Sequence, residues 1–367
     1  MHDAIKSIGR AGLATTLLIA THASGYLISP RLAVHETMTR MAYDCFARAV
    51  TEPKKCWTDP ARLDIAKGKF TPEEMAVRWP DDPLRKGDSK LTLASLGKDI
   101  VLDCPKQVKD AAGKDKTIYD AGLVCSSHFG RLQFLHAMAS AGDRDRKATL
   151  RKIFAWSAFT YDVATARIDL DLDICKAVTP AYGGKPVYAA LADAFEAAPG
   201  NSCDLPPTAK GRERQGFSIR AFFTADCAGK VRLPGKPCGP DIDSGASADS
   251  DVLARRAAVG ALMHLVQDSY SQSHVARPID GVAVAYMGPF TATVACTFPV
   301  AYFDYGTQAF YQNHSDGDQR PMLDSSCGSG PVADPVTASA VIWWKVSRGR
   351  MTAEMLGYLT AHVFGPL

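Results

Sequence analysis

Residues 264–274 read HLVQDSYSQSH, an H-x3-D-x5-H spacing of two imidazoles around a carboxylate. Taken alone, the spacing fits chance, a buried polar patch, or one side of a metal site. On a helix, residues four apart lie one turn above each other on the same face. His264 and Asp268 can therefore bind one ion together. His274 lies six residues past Asp268, a rise of about 9 Å if the helix continues. That places it badly for the His264 ion but within reach of a second ion sharing the Asp268 carboxylate. The spacing thus points to an aspartate that bridges two metals. Chance would give roughly 0.02 such matches in a chain of this composition, so a lone match is suggestive and the other histidines decide.

The chain holds nine histidines. His314 and Asp318, in YQNHSDGD, repeat the i, i+4 pairing of imidazole and acid. His128 begins a helical stretch in SSHFGRL, and His35 sits inside the first expected helix. Singly, each reads as an ordinary core or surface residue. Jointly, they form a set of N and O donors of the kinds that zinc accepts.

This layout resembles the superfamily of zinc-dependent phospholipases C and single-strand-specific nucleases, mainly helical secreted enzymes with three zinc ions. The resemblance is carried by HLVQDSYSQSH, by Trp79 and Asp81 in RWPDDPLR, and by the pair His128-Phe129. His314 and Asp318 in HSDGD and His35 near the start of the mature chain complete it, in the family's order. The resemblance implies that Asp81, His128, His264 and Asp268 hold a first zinc. It implies that His274, His314 and Asp318 hold a second. A third would be shared by His35, Asp268 and the terminal amine and carbonyl of the mature chain, at Tyr26 for cleavage after Gly25 or at Ser24 for cleavage after Ala23. Asp82 competes with Asp81 for the first site. The chain departs from the family in lacking a Trp near that terminus, in Gln272 where a proline is usual, and in a longer interval between Asp81 and His128. His136 and His362 fall outside the pattern and read as structural residues, with support of a metal ligand from behind as the alternative for His136.

The resemblance implies a zinc-dependent phosphodiesterase. Two zincs about 3.5–4 Å apart would hold a hydroxide that attacks phosphorus in line. Asp81, orienting the water, and Asp268, bridging the ions, would be the catalytic carboxylates. No G-x-S-x-G or Walker-type loop offers another nucleophile. The substrate is either a glycerophospholipid, with peripheral membrane contact, or single-stranded nucleic acid, in the manner of a nuclease or 3'-nucleotidase. The wording QDSYSQSH favours phospholipase C; Asp318 and the WPD context lean toward the nucleases. Long single strands need a basic groove with stacking aromatics, and none can be placed here. Phospholipase C ranks first. An exported metal-binding helical domain without catalysis is a third reading.

Dispersed ligands need a rigid frame, and the sequence supplies helices for it. The 367 residues are 46% hydrophobic and 22% charged, enough for a large core. A net charge of +3 argues against a nucleic-acid scaffold or a strongly basic membrane binder. The N-terminus reads as a secretory signal over residues 1–25. Lys6 and Arg10 are followed by the apolar run AGLATTLLIA and the small residues of THASG, with a buried first helix as the alternative. The mature domain is then 26–367, periplasmic or secreted, with no transmembrane segment expected. Ten cysteines lie beyond the signal with no C-x-x-C pair, which points to disulfides in an oxidising compartment.

Helical spacing recurs in SSHFGRLQFLHAMAS, RDRKATLRKIFAWSAFTYDVATARI, PVYAALADAFEAA, SDVLARRAAVGALMHLVQDSYSQSH and the C-terminal TASAVIWWKVSRGRMTAEMLGYLTAHVF. Ser29 and Pro30 are expected to start the first mature helix. Thr71, Pro72 and Glu74 form a capping-box pattern. Alternating strand patterns are scarce. The expected fold is a mainly α, single multi-helix domain, with disulfide-pinned irregular insertions at about 80–124 and 198–250.

Overall fold

The computed structural model describes residues 28–29, 32–57, 69–81, 106–109, 115–118, 123–140, 143, 145–196, 218–224, 247–271, 273–277, 297–304 and 332–367. Tyr26, Asp82, His314, Asp318 and the expected signal segment lie outside them. The described chain is mainly helical, as its periodicity predicts.

The first helix starts later than expected. Strands β1 (Ile28–Ser29) and β2 (Leu32–Ala33) pair antiparallel, which commits that backbone before the helix begins. Helix α1 runs Val34–Arg48 behind Ala33, which makes no side-chain cap. His35 therefore sits in the first turn. The Cys45–Cys56 disulfide ties the far end of α1 to the following loop, and Cys125 and Cys175 are also disulfide-bonded.

The short α2 (Pro72–Met75) has the expected capping box. Thr71 Oγ1 accepts from Glu74 N at 3.2 Å, and Thr71 N donates to Glu74 Oε2 at 2.6 Å. A 3-10 turn, Ala76–Arg78, continues it. Two ion pairs staple this unit to α1: Arg40 to Glu74 at 2.7 Å, and Arg78 to the buried Glu36.

The stretch SSHFGRLQFLHAMAS is not one helix. After the hairpin β3 (Lys106–Lys109) and β4 (Asp115–Ile118), α3 spans Leu123–Phe129 and ends at Gly130. A 3-10 turn, Gln133–His136, follows and closes on Ala137 in the left-handed region, φ 52°. His128 thus ends a helix rather than beginning one. The hairpin lies within the first stretch read as irregular.

Helix α4 (Arg146–Ala164) is capped by Asp145, whose carboxylate accepts from Lys147 N at 2.8 Å. It buries Trp156 and Phe159 against α6 (Ala189–Glu196) and α7 (Ile219–Thr224), which come after α5 (Ile174–Val178), while the buried Tyr161 donates its hydroxyl to the Arg350 carbonyl. Helix α7 falls within the second stretch read as irregular.

Helix α8 (Ser247–Asp268) is the centre of the core. Ala258, Val259, Ala261, Leu262, Met263, Leu265 and Val266 are all buried, as are His264, Gln267 and Asp268, so this helix is enclosed on every side over its second half. It packs on α1, α4, α7, the Ala76–Arg78 turn and α9 (Pro335–Ser347). Gly260 allows the closest approach, since a Cβ there would lie 2.2 Å from the Ala76 carbonyl oxygen. Strands β5 (Val275–Ala276) and β6 (Ala301–Tyr302) pair beyond α8. The chain then closes with α10 (Thr352–Leu359), separated from α9 by Gly349 at φ 58°. Among the described residues, no helix is long and apolar enough to cross a membrane.

Candidate metal centre

Seven side chains from five parts of the chain meet where α8 ends. His264 and Asp268 occupy the last two turns of α8, and His35 the first turn of α1. Asp81 follows the Ala76–Arg78 turn, with its backbone N–H on Arg78 O at 3.1 Å. Trp79 anchors that segment among Trp156, Phe222 and Phe223, with ring centroids 5.0–6.1 Å away. His128 ends α3, and His136 ends the next 3-10 turn. All of these side chains are buried, and Asp268 and His264 are 0% exposed.

His274 arrives by a turn, not by helical rise. Helix α8 stops at Asp268, and Tyr270 and Ser271 donate their N–H groups back to Gln267 and Asp268. The chain reverses, so His274 Nδ1 lies 3.5 Å from Asp268 Oδ2. The distance expected from a continuing helix does not apply. The Phe303 backbone fixes the reversal by donating to His274 O and accepting from Ala139 N, both at 2.9 Å.

Three imidazoles are held through Nδ1 by carbonyl oxygens. His264 donates to Val77 O at 2.9 Å, His274 to His136 O at 2.6 Å, and His35 to Gln267 Oε1 at 2.7 Å. Gln267 Nε2 in turn donates to Thr39 and Ser339, which orients that amide. The lone pair of each neutral ring is then on Nε2. This outer support is the arrangement that aims metal-binding histidines.

The inward atoms crowd one another. His264 Nε2 lies 2.8 Å from Asp268 Oδ2, and His136 Nδ1 lies 2.9 Å from both. Asp81 Oδ1 stands 3.7 Å from His128 Nε2, 3.7 Å from His136 Nδ1 and 3.8 Å from His264 Nε2. His35 stacks on His264 at 4.0 Å, and its Nε2 is 3.2 Å from Asp268 Oδ1 without hydrogen-bond alignment. Both oxygens of Asp81, Asp268 Oδ1 and His136 Nε2 are buried with no hydrogen-bond partner among the described residues.

Two buried carboxylates call for positive charge beside them. Among the described residues, Asp81 and Asp268 make ion-pair contacts with imidazoles and with no lysine or arginine. Burial alone would raise both carboxyls, but the neighbouring imidazoles, His264 first, hold them below the usual carboxylate range. Burial opposes a proton on His264, yet the Asp268 and Asp81 charges raise its pKa above the ordinary value. His136 moves the other way, pulled down to about 4 chiefly by burial. A proton on His264 and a divalent ion are alternative answers to the same two negative charges.

Three overlapping sets have donor atoms close enough to hold an ion: His35, Asp81 and His264; Asp81, His128 and His136; and His136, His264 and Asp268. The structure thus gathers six of the residues singled out in the sequence: His35, Asp81, His128, His264, Asp268 and His274. Tyr26, His314 and Asp318 lie outside the described residues. His136, read from sequence as structural, belongs to the cluster. Its one sequence signal is its place eight residues after His128, two helical turns on a helix that the chain does not form. Gln267 and the Val77 carbonyl, which aim two of the imidazoles, carried no signal. His362 stands apart, with its ring against Tyr358 and its carbonyl on Ala333 N.

Comparison of the chain with family models, with curated proteins and with solved structures finds no match in any of the three.

Proposed function

We propose that this protein is an exported zinc-dependent phosphodiesterase that hydrolyses glycerophospholipids in the manner of a phospholipase C. The observation that carries the reading is the inward face of the cluster. His264 gives its Nδ1 proton to Val77 O, which turns Nε2 to the Asp268 carboxylate at 2.8 Å. A proton on Nε2 answers one of the two carboxylates, whereas a divalent ion among the converging donors answers both. The two buried carboxylates and five imidazoles fit a divalent ion in donor type, charge and burial.

Zinc bound there supplies a Lewis acid that neutralises phosphoryl oxygens and lowers the pKa of water toward neutrality. The protein's part is positioning. Gln267, Val77 and His136 hold three imidazoles through Nδ1, and α8 presents His264 and Asp268 from its fully buried end. Asp81, with neither oxygen hydrogen-bonded among the described residues, is free to orient a water or to ligate. The substrate class rests on the motif wording QDSYSQSH, and the Cys45–Cys56 disulfide supports export to an oxidising compartment.

The test is purified, zinc-loaded protein incubated with phosphatidylcholine and, separately, with single-stranded DNA. Release of phosphocholine, abolished by a chelator, is the expected result. Nucleotide release without phosphocholine would transfer the reading to the nucleases. Zinc uptake with neither activity would leave a metal-binding domain without catalysis.

A further inference from the structure

We infer that Ser339, on a helix that contributes no donor to the cluster, is a positioning residue: through Gln267 it keeps the proton of His35 on Nδ1. This rests on the reading of the cluster as a metal centre. Among the described residues, none of the donor sets draws on α9, so the role assigned to Ser339 lies outside the ligand pattern.

The tautomer of His35 depends on which end of the Gln267 amide faces it. His35 Nδ1 lies 2.7 Å from Gln267 Oε1, and Gln267 Nε2 lies 3.0 Å from Thr39 Oγ1 and 3.2 Å from Ser339 Oγ. An amide reversed in place would set an N–H donor against the ring. His35 would then accept at Nδ1 and carry its proton on Nε2. The two orientations fill nearly the same volume, so packing does not choose between them. The hydroxyls choose. Ser339 Oγ donates its one proton to the Pro335 carbonyl, one turn earlier, at 2.7 Å. It then accepts from Gln267, which holds the amide nitrogen toward α9 and the amide oxygen toward α1. Reversing the amide would force Ser339 to give up the Pro335 bond. The Thr39 hydroxyl rotates to suit either orientation and follows the amide rather than setting it.

The chain of bonds is sealed from bulk water. Thr39, Gln267 and Ser339 are all 0% exposed, and His35 is 1% exposed. Gln267 stands beside Asp268 on α8, His35 and Thr39 lie one turn apart on α1, and Ser339 lies on α9, so one amide joins three helices. With the proton on Nδ1, the His35 lone pair sits on Nε2, 3.2 Å from Asp268 Oδ1, in a residue that shares a donor set with Asp81 and His264. With the proton on Nε2, that nitrogen has no lone pair for a metal. The ring is thus a ligand or a bystander according to a hydroxyl on a helix that holds no ligand.

The experiment records 15N-histidine spectra of the full-length protein after chelator treatment and then titrates Zn2+ into it. Wild type is compared with Gln267→Leu, Ser339→Ala and Ser339→Thr. Before zinc is added, wild-type His35 is expected as an Nδ1–H ring. Gln267→Leu removes the acceptor and should weaken one zinc equivalent by about 10–100-fold, the range of an outer-shell change. Ser339→Ala should give His35 a measurable Nε2–H population and weaken zinc by up to about tenfold. Ser339→Thr keeps a hydroxyl that can bond the carbonyl one turn back, and it should restore both the wild-type tautomer and the wild-type affinity. A folded Ser339→Ala with wild-type tautomer and zinc affinity overturns the inference while the metal-centre reading stands. So does an Nε2–H ring at His35 in metal-free wild type, a result that needs no variant to fold. Wild type that takes up no zinc ends the metal-centre reading, and the positioning role with it, whichever tautomer the spectra show.

Discussion

Two places in the core bury carboxylates, and they treat them in opposite ways. Asp162, on α4, is 1% exposed and fully answered: Lys185 Nζ donates at 2.6 Å, and the Tyr188 and Thr352 hydroxyls complete its shell. Burial, followed by the hydrogen bond to Asp162, raises the Tyr188 pKa and keeps that hydroxyl a donor. Asp81 and Asp268 are equally buried but meet only imidazoles, and three of their four oxygens lack a hydrogen bond among the described residues. A carboxylate that pins a fold brings its own cation and donors. Under the proposed metal-centre reading, the other two keep donor atoms converging on the place an ion would take.

Substituting each carboxylate in turn is the sharpest way to break this contrast. Asp268→Asn is expected to cut hydrolysis by at least about a thousandfold, several kcal/mol of transition-state stabilisation. It should also lose more than one zinc equivalent by elemental analysis. Asp162→Asn should keep both zinc and hydrolysis. Full hydrolysis in Asp268→Asn would end the metal role of that residue. The reverse holds for folding: Asp162→Asn should lose about 2 kcal/mol in urea unfolding, less than a fully buried pair costs because Lys185 is half exposed.

Metal removal tests the same contrast through heat. An ion at a hundred times its Kd stabilises by about 2.7 kcal/mol. A chelator should therefore lower the melting temperature of wild type and of Asp162→Asn by similar amounts. It should barely move Asp268→Asn. Equal chelator shifts in all three proteins would show that the ion binds elsewhere.

Gly260→Ala probes the frame. The added Cβ would sit 2.2 Å from Ala76 O, pushing α8 from the turn that carries Val77 and Asp81. Overpacking of this kind costs about 1–3 kcal/mol. It should also weaken zinc binding, because His264 depends on Val77 O; unchanged affinity would separate helix packing from ligand aim. The smallest effect is expected at Ala137, whose left-handed backbone strains a residue with a Cβ. Ala137→Gly should gain up to about 1 kcal/mol in the metal-free protein, and a loss there would show that the strain is not local.

Much of this was legible before folding. The i, i+4 pair His264 and Asp268 is a helical relation, and α8 delivers it because the helix runs unbroken from Ser247 to Asp268. Thr71, Pro72 and Glu74 formed their box because capping is decided within one turn. Ser29 and Pro30 misled because β1 and β2 use the same backbone. His128 and His136 were misplaced because SSHFGRLQFLHAMAS has helical spacing, yet Gly130 and the left-handed Ala137 break it into two turns. His274 was placed along a helix that stops six residues short of it.

What the chain determines by itself is local: periodicity, caps, and which donor types it carries. Those depend on neighbours within a few residues. The tertiary structure alone decided that His136 turns its ring inward, that Gln267 and Val77 aim the imidazoles, and that Asp81 and Asp268 both reach His136 and His264. Those relations join residues up to 232 positions apart, as in the bond from His35 to Gln267. Only close packing of α1, α8 and the Ala76–Arg78 turn sets such distances, because no local propensity spans them.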